Sequence, residues 1–97
     1  MLFDDINKKL DEFKNTSGAI LIDVREADEF AAGHIPGAIN IPLSRIQECD
    51  LDLDTPLFVY CLMGSRSMRA VGVLKSLGYT NVKNIGGINR YKGEIEK

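Results

Sequence analysis

The sequence predicts an α/β fold: one domain over residues 1–97 on a central, mostly parallel sheet of four to five short strands, with helices on both faces. Three observations predict it. Ala19-Ile20-Leu21-Ile22 is an unbroken apolar run, as expected for a strand of a parallel sheet covered on both faces. Leu57-Phe58-Val59-Tyr60 is a second such run, leading into Cys61 and a short loop with one glycine. Ala70, Val73, Leu74 and Leu77 then follow at helical spacing, the pattern of a crossover helix. A length of 97 residues is enough for one core and too little for two.

Taken in order, Leu2, Ile6, Leu10 and Phe13 form one face of a first helix, capped by Asp4 or Asp5, with room for a very short strand at Leu2-Phe3. Asn15-Thr16-Ser17-Gly18 is a turn. The first long strand ends in Asp23-Val24-Arg25. Two readings are open for Asp23 and Arg25, a catalytic role or a hydrogen-bonded frame for the loops at that end, and the frame is favoured. Glu26 to Ala32 reads as a short helix with Phe30 inward, Glu29 within pairing reach of Arg25, and Gly33 as its stop. Pro36-Gly37 is turn chemistry, and a short strand follows that Pro42 closes. The lone histidine, His34, has no orienting third group in view, so a structural bond to its own loop is expected rather than a Cys–His pair.

Ser44 to Gln47 forms a short helical segment before an acidic, exposed connection. Cys49 lies there between Glu48 and Asp50, whose negative charges disfavour a thiolate and make it the poorer nucleophile; a resolving thiol is the lesser alternative. Gly78 ends the helix that carries Ala70 to Leu77. Met68 is compatible with core packing, and Met63 with an apolar rim or docking surface beside the sulfur. Asn81 to Ile85 is the last strand, and Gly86-Gly87-Ile88 turns into a terminal helix through Tyr91. A glycine pair after a strand hints at a phosphate loop, but no lysine-serine pair follows, so a backbone turn is expected.

The chemistry concentrates at Cys61. Ligands of open α/β sheets bind beyond the carboxyl ends of the parallel strands, and Cys61 stands at such an end. The loop Leu62, Met63, Gly64, Ser65, Arg66, Ser67 leads into a helix N-terminus, where free N–H groups and the positive dipole end favour an anion. A thiolate held there falls below the free thiol pKa of about 8.5. Gly64 supplies the backbone turn that aims successive amides at one point, and Arg66 adds a permanent positive charge. The plainer account is an inert, buried cysteine closing a core strand.

Cys61-x-x-Gly64-x-Arg66-Ser67 after a short apolar strand resembles the active-site loop of rhodanese-like sulfurtransferases. Ile22-Asp23-Val24-Arg25, Glu29-Phe30 and Gly33-His34-Ile35-Pro36-Gly37-Ala38 are similar to the first signature of the same family, and the resemblance runs from about Ile20 to Tyr91. It departs from the family where Tyr91 replaces a usual tryptophan and where no glycine-proline ending follows Gly93, both matters of packing near the C-terminus. The resemblance implies a ping-pong sulfurtransferase with Cys61 as catalytic nucleophile and Leu62 to Ser67 as the substrate-binding loop. It implies no metal or organic cofactor. Its partners would be a small sulfur donor such as thiosulfate or a persulfide, and a thiophilic acceptor: cyanide, a small thiol or a protein thiol.

Composition closes off other classes. A net charge of −2 offers no basic footprint for nucleic acid, and no apolar run approaches membrane-spanning length. Met1 to Leu10 lacks the apolar stretch of a secretory signal. Two cysteines and one histidine make neither a disulfide framework nor a structural zinc site, so a reducing cytoplasm is expected. Two alternatives remain. One is a non-enzymatic persulfide carrier or docking module. The other is a cysteine-dependent phosphatase or arsenate reductase, whose loop holds one more residue than the four between Cys61 and Arg66.

Overall fold

The computed structural model describes residues 5–97. Leu2, Phe3 and Asp4, with the short strand and alternative cap expected there, lie outside the described residues. The elements are α1 (Ile6–Lys14), β1 (Ile20–Asp23), α2 (Ala27–Ala32), β2 (Ile39–Asn40), a 3-10 segment (Leu43–Glu48), β3 (Leu57–Cys61), α3 (Ser65–Ser76), β4 (Val82–Gly87) and a 3-10 turn (Ile88–Arg90). Among the described residues the four strands form one sheet in the order β2-β1-β3-β4, every pair parallel. Asp5 caps α1, its carboxylate accepting the Asn7 amide at 2.9 Å.

Alternation along the two central strands divides the core. Ile22, Val24, Leu57, Val59 and Cys61 face α3 and the 3-10 segment, against Ile46, Ala70, Leu74 and Tyr79. Leu21, Phe58 and Tyr60 face the other way, against Ile6 and Leu10 of α1 with Ile35 and Ile85. This two-sided burial explains the unbroken apolar runs. It also places Cys61 on the face that α3 covers.

The carboxyl ends of the strands are braced by polar bonds. Asp23 is fully buried and accepts the Arg25 amide at 2.9 Å, Nε at 3.1 Å and Nη2 at 2.8 Å. The same Nη2 donates to the Gly33 carbonyl at 2.6 Å. Arg25 therefore pairs with Asp23 and not with Glu29, because the fork already fits the carboxylate two residues back. Tyr60 Oη accepts the Ile35 amide at 3.1 Å. His34 Nδ1 donates to the Phe30 carbonyl at 2.9 Å, and Nε2 lies 3.4 Å from Glu96. A backbone bridge between His34 and Glu96 fastens the tail, and a side chain at Gly33 would meet Ile95 at 2.8 Å.

Three local expectations are corrected. Phe30 is half-buried and stacks on the His34 ring at 3.7 Å, since α2 contributes no buried residue to the core. Met68 is 63% exposed, on the solvent side of α3. The last strand continues through Gly87, and one 3-10 turn replaces the terminal helix, because Gly86 and Gly87 still pair with Tyr60 and Cys61.

The Asp23 frame sets a stability expectation. Asp23→Ala leaves Arg25 as a buried charge without its carboxylate and costs about 3–5 kcal/mol in a denaturant titration. A loss under about 1 kcal/mol would show that the frame does not hold this end of the sheet together.

Candidate active site

β3 delivers Cys61 to its carboxyl end, 1% exposed, where the chain reverses into α3. Gly64 makes that reversal possible: it caps α3 at φ 107°, in the left-handed region open to glycine. The turn aims two amides at the sulfur, Gly64 N at 3.0 Å and Ser67 N at 3.3 Å. The Ser67 hydroxyl lies 3.4 Å from it. Burial pushes the Cys61 thiol up, but the Ser67 hydroxyl and the Ser67, Gly64 and Met63 amides outweigh it and leave the thiol below its ordinary value.

Within the loop, Leu62 and Met63 turn their side chains out, 40% and 73% exposed, and Ser65 is exposed as the first residue of α3. Arg66 does not stand as a free charge beside the sulfur. Its guanidinium forks onto Glu29, Nη1 to Oε1 at 2.8 Å and Nη2 to Oε2 at 3.1 Å. Arg66 and then the Glu26 amide hold the Glu29 carboxyl down at about 2. The activation of Cys61 is thus chiefly a matter of local hydrogen bonds.

Two contributors escaped the sequence reading. Asn84 of β4 accepts the Ser67 hydroxyl at 2.7 Å and the Gly86 amide at 2.9 Å, and donates to the Gly64 carbonyl at 3.2 Å. It ties the loop to the neighbouring strand. Gly87 lies directly under the loop: a Cβ there would sit 2.7 Å from Met63 Cα and would also strike the Leu62 carbonyl oxygen. Asn89 N donates to that carbonyl at 3.1 Å. The glycine pair therefore serves close approach between loop and strand; its only sequence signal was its place after a strand.

Cys49 stands apart in its bonding. Its thiol donates to Tyr79 Oη at 3.3 Å, and Tyr79 donates to the Leu51 carbonyl at 2.7 Å. Both nitrogens of His34 are engaged with Phe30 and Glu96. Among the described residues no cluster of three or more His, Cys, Asp or Glu is arranged to hold a metal ion.

Ser67→Ala removes the hydroxyl that lies 3.4 Å from the sulfur while keeping the Ser67 backbone amide. The midpoint of Cys61 alkylation against pH should move up. An unmoved or lower midpoint would show that the hydroxyl gives the thiolate no support.

The chain matches the Rhodanese-like domain family over residues 6–94. It is 43% identical to the uncharacterized protein YqhL of Bacillus subtilis, over 80% of this chain and 64% of that one. It is 37% identical to the human thiosulfate:glutathione sulfurtransferase, over 81% of each chain. The chain spans only 21% of a longer relative, the adenylyltransferase and sulfurtransferase uba4 of Ogataea parapolymorpha. A solved structure of an Escherichia coli rhodanese superposes with a TM-score of 0.74 at 35% identity, over 81% of this chain and 98% of that one. With the parallel sheet, the cysteine at its carboxyl edge and the family match over nearly its whole length, this chain belongs to the rhodanese-like domain family.

Proposed function

We propose that the protein is a sulfurtransferase that carries a sulfane sulfur as a persulfide on Cys61. The observation that supports this best is the buried sulfur receiving the Gly64 and Ser67 amides at 3.0 and 3.3 Å at the end of a parallel strand. A thiolate prepared in this way needs no separate general base.

In the first half-reaction the Cys61 thiolate attacks the outer sulfur of thiosulfate. The donor S–S bond breaks, sulfite leaves with its electron pair, and Cys61 holds a persulfide anion. In the second, an acceptor such as cyanide or a thiolate attacks that outer sulfur, and the Cys61 thiolate departs regenerated. The Leu62 to Ser67 backbone is the substrate-binding element. Its amides solvate negative charge at both stages without reorganising. Free thiols at Cys49 and Cys61 suit the reducing cytoplasm as the place of work.

Leu62, Met63 and Met68, exposed around the loop and the first turns of α3, favour a protein thiol as one acceptor and so a carrier role on the same chemistry. The phosphatase reading is less well supported. Four residues between Cys61 and Arg66 make a short cradle, and the arginine that would grip phosphate is engaged by Glu29.

Peptide mapping after exposure to thiosulfate should find one added sulfur atom on Cys61, removed by cyanide. The same mass on Cys49 would displace the assignment. Cys61→Ser, close in volume but protonated at neutral pH, should abolish thiosulfate:cyanide turnover with little change in thermal midpoint. Efficient aryl phosphate hydrolysis by the native chain, lost in that variant, would favour the phosphatase instead.

A further inference from the structure

The loop that follows the sulfur carries an arginine whose charge is already engaged. Arg66 is the second residue of α3, next to the Ser67 amide that bonds the sulfur. Its guanidinium is bound in a two-point fork by Glu29, and each side chain is 30% exposed. The pair joins α2 to α3 across 37 residues of sequence. Glu29 is itself held in place: Oε1 accepts the Glu26 amide at 2.9 Å as part of the capping box that starts α2. The Glu29 carboxylate keeps the arginine proton firmly bound, against the opposing effect of partial burial.

This arrangement bears on the donor. Thiosulfate approaches as a dianion, while many persulfides and thiosulfonates carry a single charge at the sulfane end. A free guanidinium would favour the dianion by direct pairing. A guanidinium already matched with a carboxylate offers little net attraction, and a dianion must approach that carboxylate as well.

Building on the sulfur-transfer reading, we propose that Glu29 is a specificity-determining residue. By occupying Arg66 it selects sulfane donors of low charge, such as monoanionic persulfides and thiosulfonates, over thiosulfate. Glu29 acts through Arg66 and touches no reacting atom. The chemical step is the same for both donor classes. With methanethiosulfonate, the Cys61 thiolate takes the outer sulfur and methanesulfinate leaves with the electron pair of the broken S–S bond.

Glu29→Gln is the discriminating variant. Glutamine keeps the capping box and one hydrogen bond to Arg66, yet gives up the charge. The experiment compares kcat/KM for thiosulfate and for methanethiosulfonate in the wild type, in Glu29→Gln and in Glu29→Gln/Arg66→Gln. Glu29→Gln should raise the thiosulfate value about tenfold and the methanethiosulfonate value about threefold or less, the gain of one charged contact. In the double variant the donor ratio should return to that of the wild type. A ratio unmoved by Glu29→Gln, or moved and still moved in the double variant, overturns the proposal. The wild type gives a second reading that needs no folded variant. Its thiosulfate kcat/KM should fall less than about twofold between about 20 and about 200 mM salt, whereas a fall of about tenfold would reveal an unpaired cation and overturn the proposal. If neither donor leaves sulfur on wild-type Cys61, the sulfur-transfer reading falls and this proposal with it. Transfer with an unmoved ratio removes only the role of Glu29.

Discussion

The hydrogen bonds that converge on the Cys61 sulfur set the terms for the rest of the structure. A thiol buried to 1% exposure ordinarily resists ionisation. Here the Gly64 and Ser67 amides and the Ser67 hydroxyl reverse that tendency from within about one turn of chain. Their geometry depends on a left-handed residue at the start of α3, on a helix beginning immediately after it, and on a strand ending at the sulfur. Each is a backbone feature, so the activating field is already in place before any ligand arrives.

The loop is held from the side as well as along the chain. Asn84 bonds Ser67 and Gly64, the two residues that supply the amides, and so links sulfur geometry to β4. The register between β3 and β4 shifts after Val59, so that Gly86 and Gly87 stand opposite Tyr60 and Cys61. That shift brings a side-chain-free surface under Leu62 and Met63. The same residues therefore close the sheet and seat the loop. Ser67 has one hydroxyl proton and near neighbours in Asn84, the Gly64 carbonyl and the sulfur, which makes the bonding around the site interdependent.

Charge is handled separately from the sulfur. Asp23 and Arg25 are buried as a pair and tie the end of β1 to the Gly33 carbonyl. Glu29 and Arg66 form a partly exposed pair between α2 and the start of α3. Among the described residues no buried side-chain nitrogen or oxygen lacks a partner. The carboxyl end of the sheet is thus braced by polar bonds without leaving the sulfur beside an unmatched charge.

Much of this was legible in the sequence because it is local. Unbroken apolar runs at Ala19–Ile22 and Leu57–Tyr60 mean strands covered on both faces, since alternate side chains of a strand point in opposite directions. The strand-cysteine-glycine-helix order at Leu57 to Ser67 determines an amide cradle, because its bonds span no more than six residues. What the sequence left undecided depends on which surfaces meet. Arg66 had several carboxylates to choose from, and only the fold, which brings α2 within side-chain reach of the start of α3, selects Glu29, 37 residues away. Asn84 and Gly87 read as ordinary strand and turn residues until the β3–β4 register sets them against the loop. Met68 has the polarity of a core residue, and only the orientation of α3 puts it in solvent. Backbone geometry over a few residues follows from local sterics and hydrogen bonding. Ion-pair choice and close approach follow from the relative placement of distant elements, which the tertiary fold alone decides.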